Sequence, residues 1–554
     1  MLFLMKNYNF ANKFPCALVL LLFLSFFIAS SVHAETMSDE EFGQVLSALT
    51  QKKLNKKQAA IESFQSISHP KLKLIYVSLL EGNLFYVKKT KRIVLAQKSD
   101  GGYLIKDVLT SEGLGEVGKR KIKKIGINNR IRNVLSVGIA GLSLNDPDPG
   151  IRLSAIRDLM KGMSDSSVKI MKAHLPKEDD EAVKNEIAIA LALLNLDSEE
   201  KSVKLEAIRT LSQSLNPVAK SALDSLLKKD ERGEYIEDSD VRLAVKKSLD
   251  SIATRVKFYG FAETLFFGLS LGSVLLLSAI GLAITFGVMG VINMAHGELM
   301  MLGAYTTYVI QLLMPNAIEY SLMVAVPAAF LVAGFVGILI ERGCLKFLYG
   351  RPLETLLATF GISLILQQTV RTIFSPLNRS VETPEWMSGA WQINEALSLT
   401  YNRLYIIIFS LIIFSILLLI LKKSSLGLHI RAVSQNRSMA KAMGVRSEWV
   451  DALTFGLGSG IAGVAGVALS QLTNVGPNLG QAYIIDSFMV VVFGGVGNLW
   501  GTFVGAMSLG VVNKFLEPWS GAVLAKIIVL VFIILFIQKR PRGLFPQKGR
   551  AAEH

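Results

Sequence analysis

Two hydrophobic patterns divide the chain. From about 35 to 257, apolar residues recur in short runs separated by charged stretches. From 258 onward they merge into long runs, and a helix needs about 20 such residues to cross a bilayer. Nine runs reach or approach that length: 264–290, 296–314, 321–341, 353–374, 403–421, 451–472, 482–497, 501–516 and 522–537. Ahead of both regions, Lys6 and Lys13 precede an apolar stretch from Ala17 to Ile28, followed by Ala29-Ser30-Ser31-Val32-His33-Ala34. A charged start, an apolar middle and a small-residue site predict a secretory signal over 1–34, cleaved after Ala34. The alternative is an uncleaved anchor helix.

The stretch 35–257 is then expected to be an exported domain. Residues 72–110 alternate at Leu72, Leu74, Tyr76, Leu84, Tyr86, Ile93 and Leu95, with turns at Glu81-Gly82-Asn83 and Ser99 to Gly102. That spacing predicts a small β-meander. Beyond 130 the period becomes helical. Four segments are alike: Ile151 to Leu159, Val183 to Leu191, Val203 to Leu211 and Val241 to Leu249. Each follows an acidic residue (Asp148, Asp180, Glu200, Asp240), the charge that complements a helix start. They resemble HEAT-type helical repeats, which stack because no pair buries its apolar face alone. The expected architecture is mainly α: an exported helical-repeat domain with a β insert, then a polytopic membrane domain over 258–541 and a cytoplasmic tail over 542–554.

Charge orients the spans. Loop 422–450 carries Lys422, Lys423, Arg431, Arg437, Lys441 and Arg446, and the tail carries Lys539, Arg540, Arg542, Lys548 and Arg550. Loops 315–320 and 473–481 carry no Lys or Arg. Basic short loops face the cytoplasm, so nine spans place the amino-terminal domain outside and the carboxyl terminus inside. Composition agrees: 69 charged residues fall in 35–257 and only 32 in 258–554. The whole chain is 51% hydrophobic, with mean hydropathy +0.43 and net charge +15, which excludes a disordered chain. In 35–257 the 38 basic and 31 acidic residues are mixed, so no nucleic-acid partner is expected; the run Lys119 to Lys124 reads as a solvated loop or a contact with lipid head groups. Two cysteines, Cys16 and Cys344, exclude a disulfide scaffold and a Cys-based metal site.

Polar groups in the apolar half are few. Asn293, His296, Gly297 and Glu298 stand together at one expected helix break; Gln367, Gln368 and Asp486 lie within spans. Such groups are costly in a membrane and tend to face an interior or a watery path. Gly281, Gly287, Gly290 and Gly297 are read as interrupting the first spans, and Gly494-Gly495-Val496-Gly497 as joining two short ones, with Gly497, Gly501 and Gly505 spaced as a helix contact. In the basic loop, Ala432, Asn436, Ala440 and Met443 recur at helical spacing and Gly444 ends the run. This predicts one short cytoplasmic helix over 427–445, fitted to a groove on a soluble partner or lying on lipid.

Three stretches carry a resemblance in chain order: Gly290 to Glu298, the loop with Arg431, Ala432, Asn436, Ala440 and Gly444, and Gly494-Gly495-Val496-Gly497 with Gly501 and Gly505. Over about 260–545 the chain resembles the branched-chain amino acid type of ABC transporter permease. The signal and long exported domain resemble the urea-transporting branch in particular. The resemblance implies an importer with a second permease, two ATP-binding subunits and a periplasmic binding protein, in a bacterial inner membrane. It makes the 427–445 helix the coupling element that docks on an ATPase, with Arg431, Ala432, Asn436, Ala440, Met443 and Gly444 as its contacts. The chain has no Gly-x-x-x-x-Gly-Lys-Ser/Thr loop, so ATP is expected on partner subunits and no cofactor on this chain. Asn293 and the 281–297 breaks are the expected solute path, worked by alternating access. Other readings are a branched-chain amino acid or short-amide permease, an intramembrane hydrolase using Ser459 and His296, and an exported scaffold merely anchored by its spans.

Overall fold

The computed structural model describes residues 39–545 apart from 52, 65–66, 68, 100–101 and 230–234. The signal expected over 1–34 and the tail beyond 545 lie outside the described residues. Two compact units emerge, one comprising residues up to 214 with 221–248, the other 215–220 with 249 onward. The boundary expected at 257–258 thus falls earlier, inside a helix.

The first unit opens with α1 (Asp39–Leu46), α2 (Leu54–Ser63) and α3 (Leu72–Glu81). Their buried Phe42, Leu46, Ile61, Phe64, Ile75 and Tyr76 form one core with Leu84, Ile131 and Leu135. The expected strand at 72–76 is a helix: Leu72, Ile75, Tyr76 and Leu79 are buried, the spacing of one helical face, while Leu74 is 44% exposed. Gly82, with φ +79°, ends α3 in the left-handed conformation that glycine adopts without strain. The meander follows, shifted toward the carboxyl side: β1 (Leu84–Val87), β2 (Ile93–Ser99), β3 (Gly102–Asp107), β4 (Gly113–Val117) and β5 (Ile122–Lys124). All pairings are antiparallel, in the order β4-β3-β2-β1-β5.

Next come α4 (Asn129–Ser143), α5 (Pro149–Lys161), α6 (Asp165–His174), α7 (Glu181–Asn195), α8 (Lys201–Leu211) and α9 (Pro217–Ser225). All four similar segments are helical, the fourth within α10 (Ser239–Met289). The acids before them serve unequally. Asp148 accepts from Gly150 N–H and Asp180 from Ala182 and Val183 N–H, which satisfies orphan donors of the first turn; Glu200 makes no such bond. Ala155, Ile156, Leu159, Val183 and Ile187 join α5 to α7 in a second core. Beside it, the nearly inaccessible Glu178 carboxylate accepts from Arg152 at 2.7 and 3.0 Å, pairs with His174 Nε2 at 2.8 Å and receives the Asp180 N–H. Arg152, and after it the backbone and His174 bonds, outweigh burial and hold its pKa at about 2.

The second unit continues α10 and adds α11 (His296–Leu313), α12 (Ile318–Gly343), α13 (Pro352–Phe374), the hairpin β6 (Ala390–Asn394) and β7 (Leu397–Thr400), α14 (Tyr401–Lys423), α15 (Ser425–Gln435), α16 (Arg437–Ala442), α17 (Ser447–Ser470), α18 (Leu479–Gly494) and α19 (Leu499–Lys539). Each of the nine expected spans is helical. Among the described residues, six helices have the length and apolarity to cross a membrane: α10, α12, α13, α14, α17 and α19. Helix α18 is shorter and α11 falls outside that set, while α19 holds two expected spans, separated by Gly521 at φ +78°.

Glycine governs the packing here. In α17, Gly458, Gly463 and Gly466 face backbone atoms of Gly281, Ala329 and Met300 so closely that a Cβ would overlap them. Gly303 abuts Gly463, and Gly494 abuts Gly501. Small residues that let backbones approach are the usual basis of helix contact in lipid. This corrects the sequence expectation. Helix α10 runs unbroken through Gly281 and Gly287, so these glycines pack rather than break; the interruption is confined to 290–295, where Gly290 takes φ +67°. Gly501 and Gly505 do form a contact face, but Gly497 precedes α19 and meets Gly287.

Candidate functional site

The break between α10 and α11 turns a short polar segment into the bundle. Asn293 is fully buried and its Oδ1 accepts from Ala295 N–H at 3.0 Å, which shapes the turn. Its Nδ2 has no partner among the described residues. Helix α11 starts at His296, placing Glu298 in its first turn, where the helix dipole favours a carboxylate.

His296 and Glu298 diverge. His296 Nε2 donates to the Ser278 carbonyl of α10 at 2.8 Å, and its Nδ1 has no hydrogen-bond partner among the described residues. Glu298 Oε1 accepts from Ser363 Oγ and Gln367 Nε2, both at 3.1 Å, on α13. Glu298 Oε2 has no partner among the described residues, although the residue is 1% exposed. One turn earlier on α13, Thr359 Oγ1 accepts from Met294 N–H at 3.1 Å. The buried face of α13 therefore reads Thr355, Thr359, Ser363, Gln367, a polar seam with a four-residue step. Arg371 continues it and donates to Asn478 Oδ1 at 2.7 Å.

Sequence reasoning had found Asn293, Glu298 and Gln367, and the structure brings them to this seam. It had missed Thr359 and Ser363, whose signal was the i, i+4 spacing with Gln367. Gln368, one residue on, is exposed. Gly297 is not a lining residue: a Cβ there would meet the Gly480 backbone. Asp486 lies apart, paired with Lys526 Nζ at 2.9 Å across α18 and α19. Ser459 sits against Gly337, and His296 spends its Nε2 on a carbonyl, so neither forms the nucleophile–base pair a hydrolase needs. No group of three metal-ligating side chains occurs among the described residues.

The basic loop is two helices, not one. Asn436 breaks the run with φ −150° and ψ 101°, and its side chain caps α16 by accepting from Met439 N–H at 2.9 Å. Ala432 and Ala440 therefore lie on different helices, each turned toward a small core of Ile430, Val433 and Val450. Gly444 closes α16 at φ +84°, with Val445 N–H bonded back to the Ala440 carbonyl, as expected. Met439 and Met443 are 62% and 78% exposed. Arg431 donates to the Leu421 carbonyl and, with Lys422, Gln435, Asn498 and Trp500, borders a cleft of about 790 Å³.

Apolar helices joined through glycine around a buried polar seam define a multi-pass membrane protein with a polar interior. The profile of the family described as "branched-chain amino acid transport system / permease component" matches residues 264–537. The high-affinity branched-chain amino acid transport system permease protein LivH of Salmonella typhimurium is 30% identical over 298 residues, 52% of this chain and 96% of that protein. BraD of Pseudomonas aeruginosa, a permease protein with the same description, is 28% identical over the same extents. The ribose import permease protein RbsC of Escherichia coli is 25% identical over 39% of this chain and 68% of its own length. No solved structure matches the chain. The chain belongs to the branched-chain amino acid transport system permease family. It is a transport subunit of an ABC importer, not an enzyme, and it works with ATPase and substrate-binding components.

Proposed function

We propose that this chain is a permease subunit of an ABC importer for urea. The observation that carries the substrate is the unit at 39–248: relatives of the LivH type are covered over 96% of their length by 298 residues, so this folded unit is additional to them. A long domain ahead of the permease is the feature by which the sequence resembles the urea-transporting branch. The polar seam supports the same reading. Urea is neutral, with amide N–H donors and one carbonyl acceptor. Glu298 Oε2 offers an unused acceptor and Asn293 Nδ2 an unused donor, and the hydroxyls of Thr359 and Ser363 stand on the same buried face of α13.

In this reading the amino-terminal unit is a periplasmic helical-repeat domain, the chain crosses the membrane nine times and the carboxyl terminus is cytoplasmic. The importer pairs this chain with a second permease, two ATP-binding subunits and a binding protein. ATP-driven movement of the ATPase reaches α15 and α16, and the bundle opens the seam first outward, then inward. The names of the relatives favour a second reading, a branched-chain amino acid permease.

Uptake of labelled urea and leucine in a deletion strain separates the two. Loss of urea uptake with leucine uptake intact is expected; the opposite result defeats the urea assignment. Within the seam, Ser363→Ala and Gln367→Ala are expected to raise the KM for uptake by roughly tenfold each, the scale of one lost buried hydrogen bond.

A further inference from the structure

The two halves of the basic loop are fastened to different parts of the bundle. Arg431 of α15 bonds back to the end of α14, through the Leu421 carbonyl. Arg437, the first residue of α16, reaches the other way. Its guanidinium pairs with Asp451 Oδ2, one turn into α17, where the carboxylate is 1% exposed. The same guanidinium lies 4.7 Å over the Tyr349 ring, and Tyr349 Oη donates to Glu341 Oε1 at 2.8 Å, in the last turn of α12. Asp451 Oδ1 and Glu341 Oε2 have no hydrogen-bond partner among the described residues. One side chain thus ties a six-residue surface helix to both α12 and α17. Those two helices are themselves packed backbone to backbone: a Cβ on Gly463 or Gly460 of α17 would meet Ala329 or Phe330 of α12. They form one closely packed pair. Between the two fastenings lies Asn436, whose non-helical backbone separates α15 from α16.

Resting on the coupling role of this loop, we propose that Arg437 is a positioning residue that transmits displacement of α16 to the α12–α17 pair. The charged pair is suited to that task. A guanidinium gripping a buried carboxylate and stacked on an aromatic ring is restrained in both distance and direction. Apolar contact alone would allow the helix to slide. Met439 and Met443, by contrast, are exposed on the same loop and are not part of this link.

The test uses the complete importer in proteoliposomes. Uptake per ATP hydrolysed and co-purification of the ATPase are measured for Arg437→Ala, Arg437→Lys and the double variant R437Q/D451N. The double variant removes the link without leaving a buried charge alone, so it remains informative if Arg437→Ala fails to fold. With ATPase co-purification at the wild-type level, the expected result is a drop in uptake per ATP of at least fivefold for Arg437→Ala and R437Q/D451N, partly restored in Arg437→Lys. An assembled R437Q/D451N complex with an unchanged ratio overturns the transmission role. So does loss of ATPase co-purification in that variant, because Arg437 would then be a docking residue. Gly444→Pro, run in parallel, tests the underlying reading: normal ATPase co-purification with that variant defeats the coupling role of the loop, whatever Arg437 does.

Discussion

The two units solve helix packing in opposite ways. In the amino-terminal unit the deepest residues are large: Tyr76, Phe42 and Phe64 are buried to 1% exposure or less, and Tyr76 spends its hydroxyl on the Ile61 carbonyl at 2.9 Å. In α17 of the membrane unit they are absences of side chain, with Gly458, Gly463 and Gly466 set against neighbouring backbones. The difference follows from the solvent. In water, burying apolar area drives association, so big side chains hold helices together. In lipid the tails are as apolar as leucine, and what remains is close contact between backbones.

Substitutions can break this contrast. The largest effect is expected from adding atoms in the membrane unit. Gly303→Val would place a side chain on the Gly463 backbone, a loss above about 4 kcal/mol, read as disappearance of the monodisperse peak in detergent chromatography. Removing atoms is the matching experiment in the first unit. Tyr76→Ala should cost about 3–5 kcal/mol, seen as faster hydrogen exchange in α1 to α4. If Gly303→Val were tolerated while Tyr76→Ala abolished the membrane fold, the contrast would be wrong.

Acid provides an intermediate case. Glu178, held at about 2 against an ordinary 4.5, contributes stability that is present above about 4.5 and is lost as pH falls toward 2. The contribution is roughly 3 kcal/mol. Exchange in α5 to α7 of the full chain should rise over that window, whereas Glu178→Gln should flatten the dependence. The smallest effect is expected for Asp180→Ala, about 1 kcal/mol from a lost helix cap, against no change for Glu200→Ala, which caps nothing.

How much was legible depended on which solvent rules applied. Helices α5, α7 and α8 were readable because apolar period and acidic start agreed. The stretch 72–76 was not, since Leu72, Leu74 and Tyr76 satisfy alternation as well as a helix; only the burial of Ile75 and Leu79 and the exposure of Leu74 distinguish them. Gly281 and Gly287 misled because glycine weakens a helix in water, by about 1 kcal/mol, and was read as a breaker where it is a contact. Asn436 hid its role because the spacing Ala432, Asn436, Ala440 runs straight through it, and a cap is visible only once Met439 N–H points at it. At the seam, the residues near Glu298 in sequence and Gln367 were legible, whereas Thr359 and Ser363 on α13 were not. Ser363 is 65 residues away, and only the fold makes it a neighbour.

The ion pair of Asp486 and Lys526 has a consequence for biogenesis. The carboxylate leaves the ribosome forty residues ahead of the amine. Until the amine follows, the acid lacks this partner, and an unpartnered acidic side chain is costly in a bilayer. In the folded chain Lys526 meets that acid and ties the stretch beyond Gly521 to α18. The carboxyl end is thus fastened by one matched pair of charges as well as by apolar packing, and a chain truncated before Lys526 would leave Asp486 without this partner.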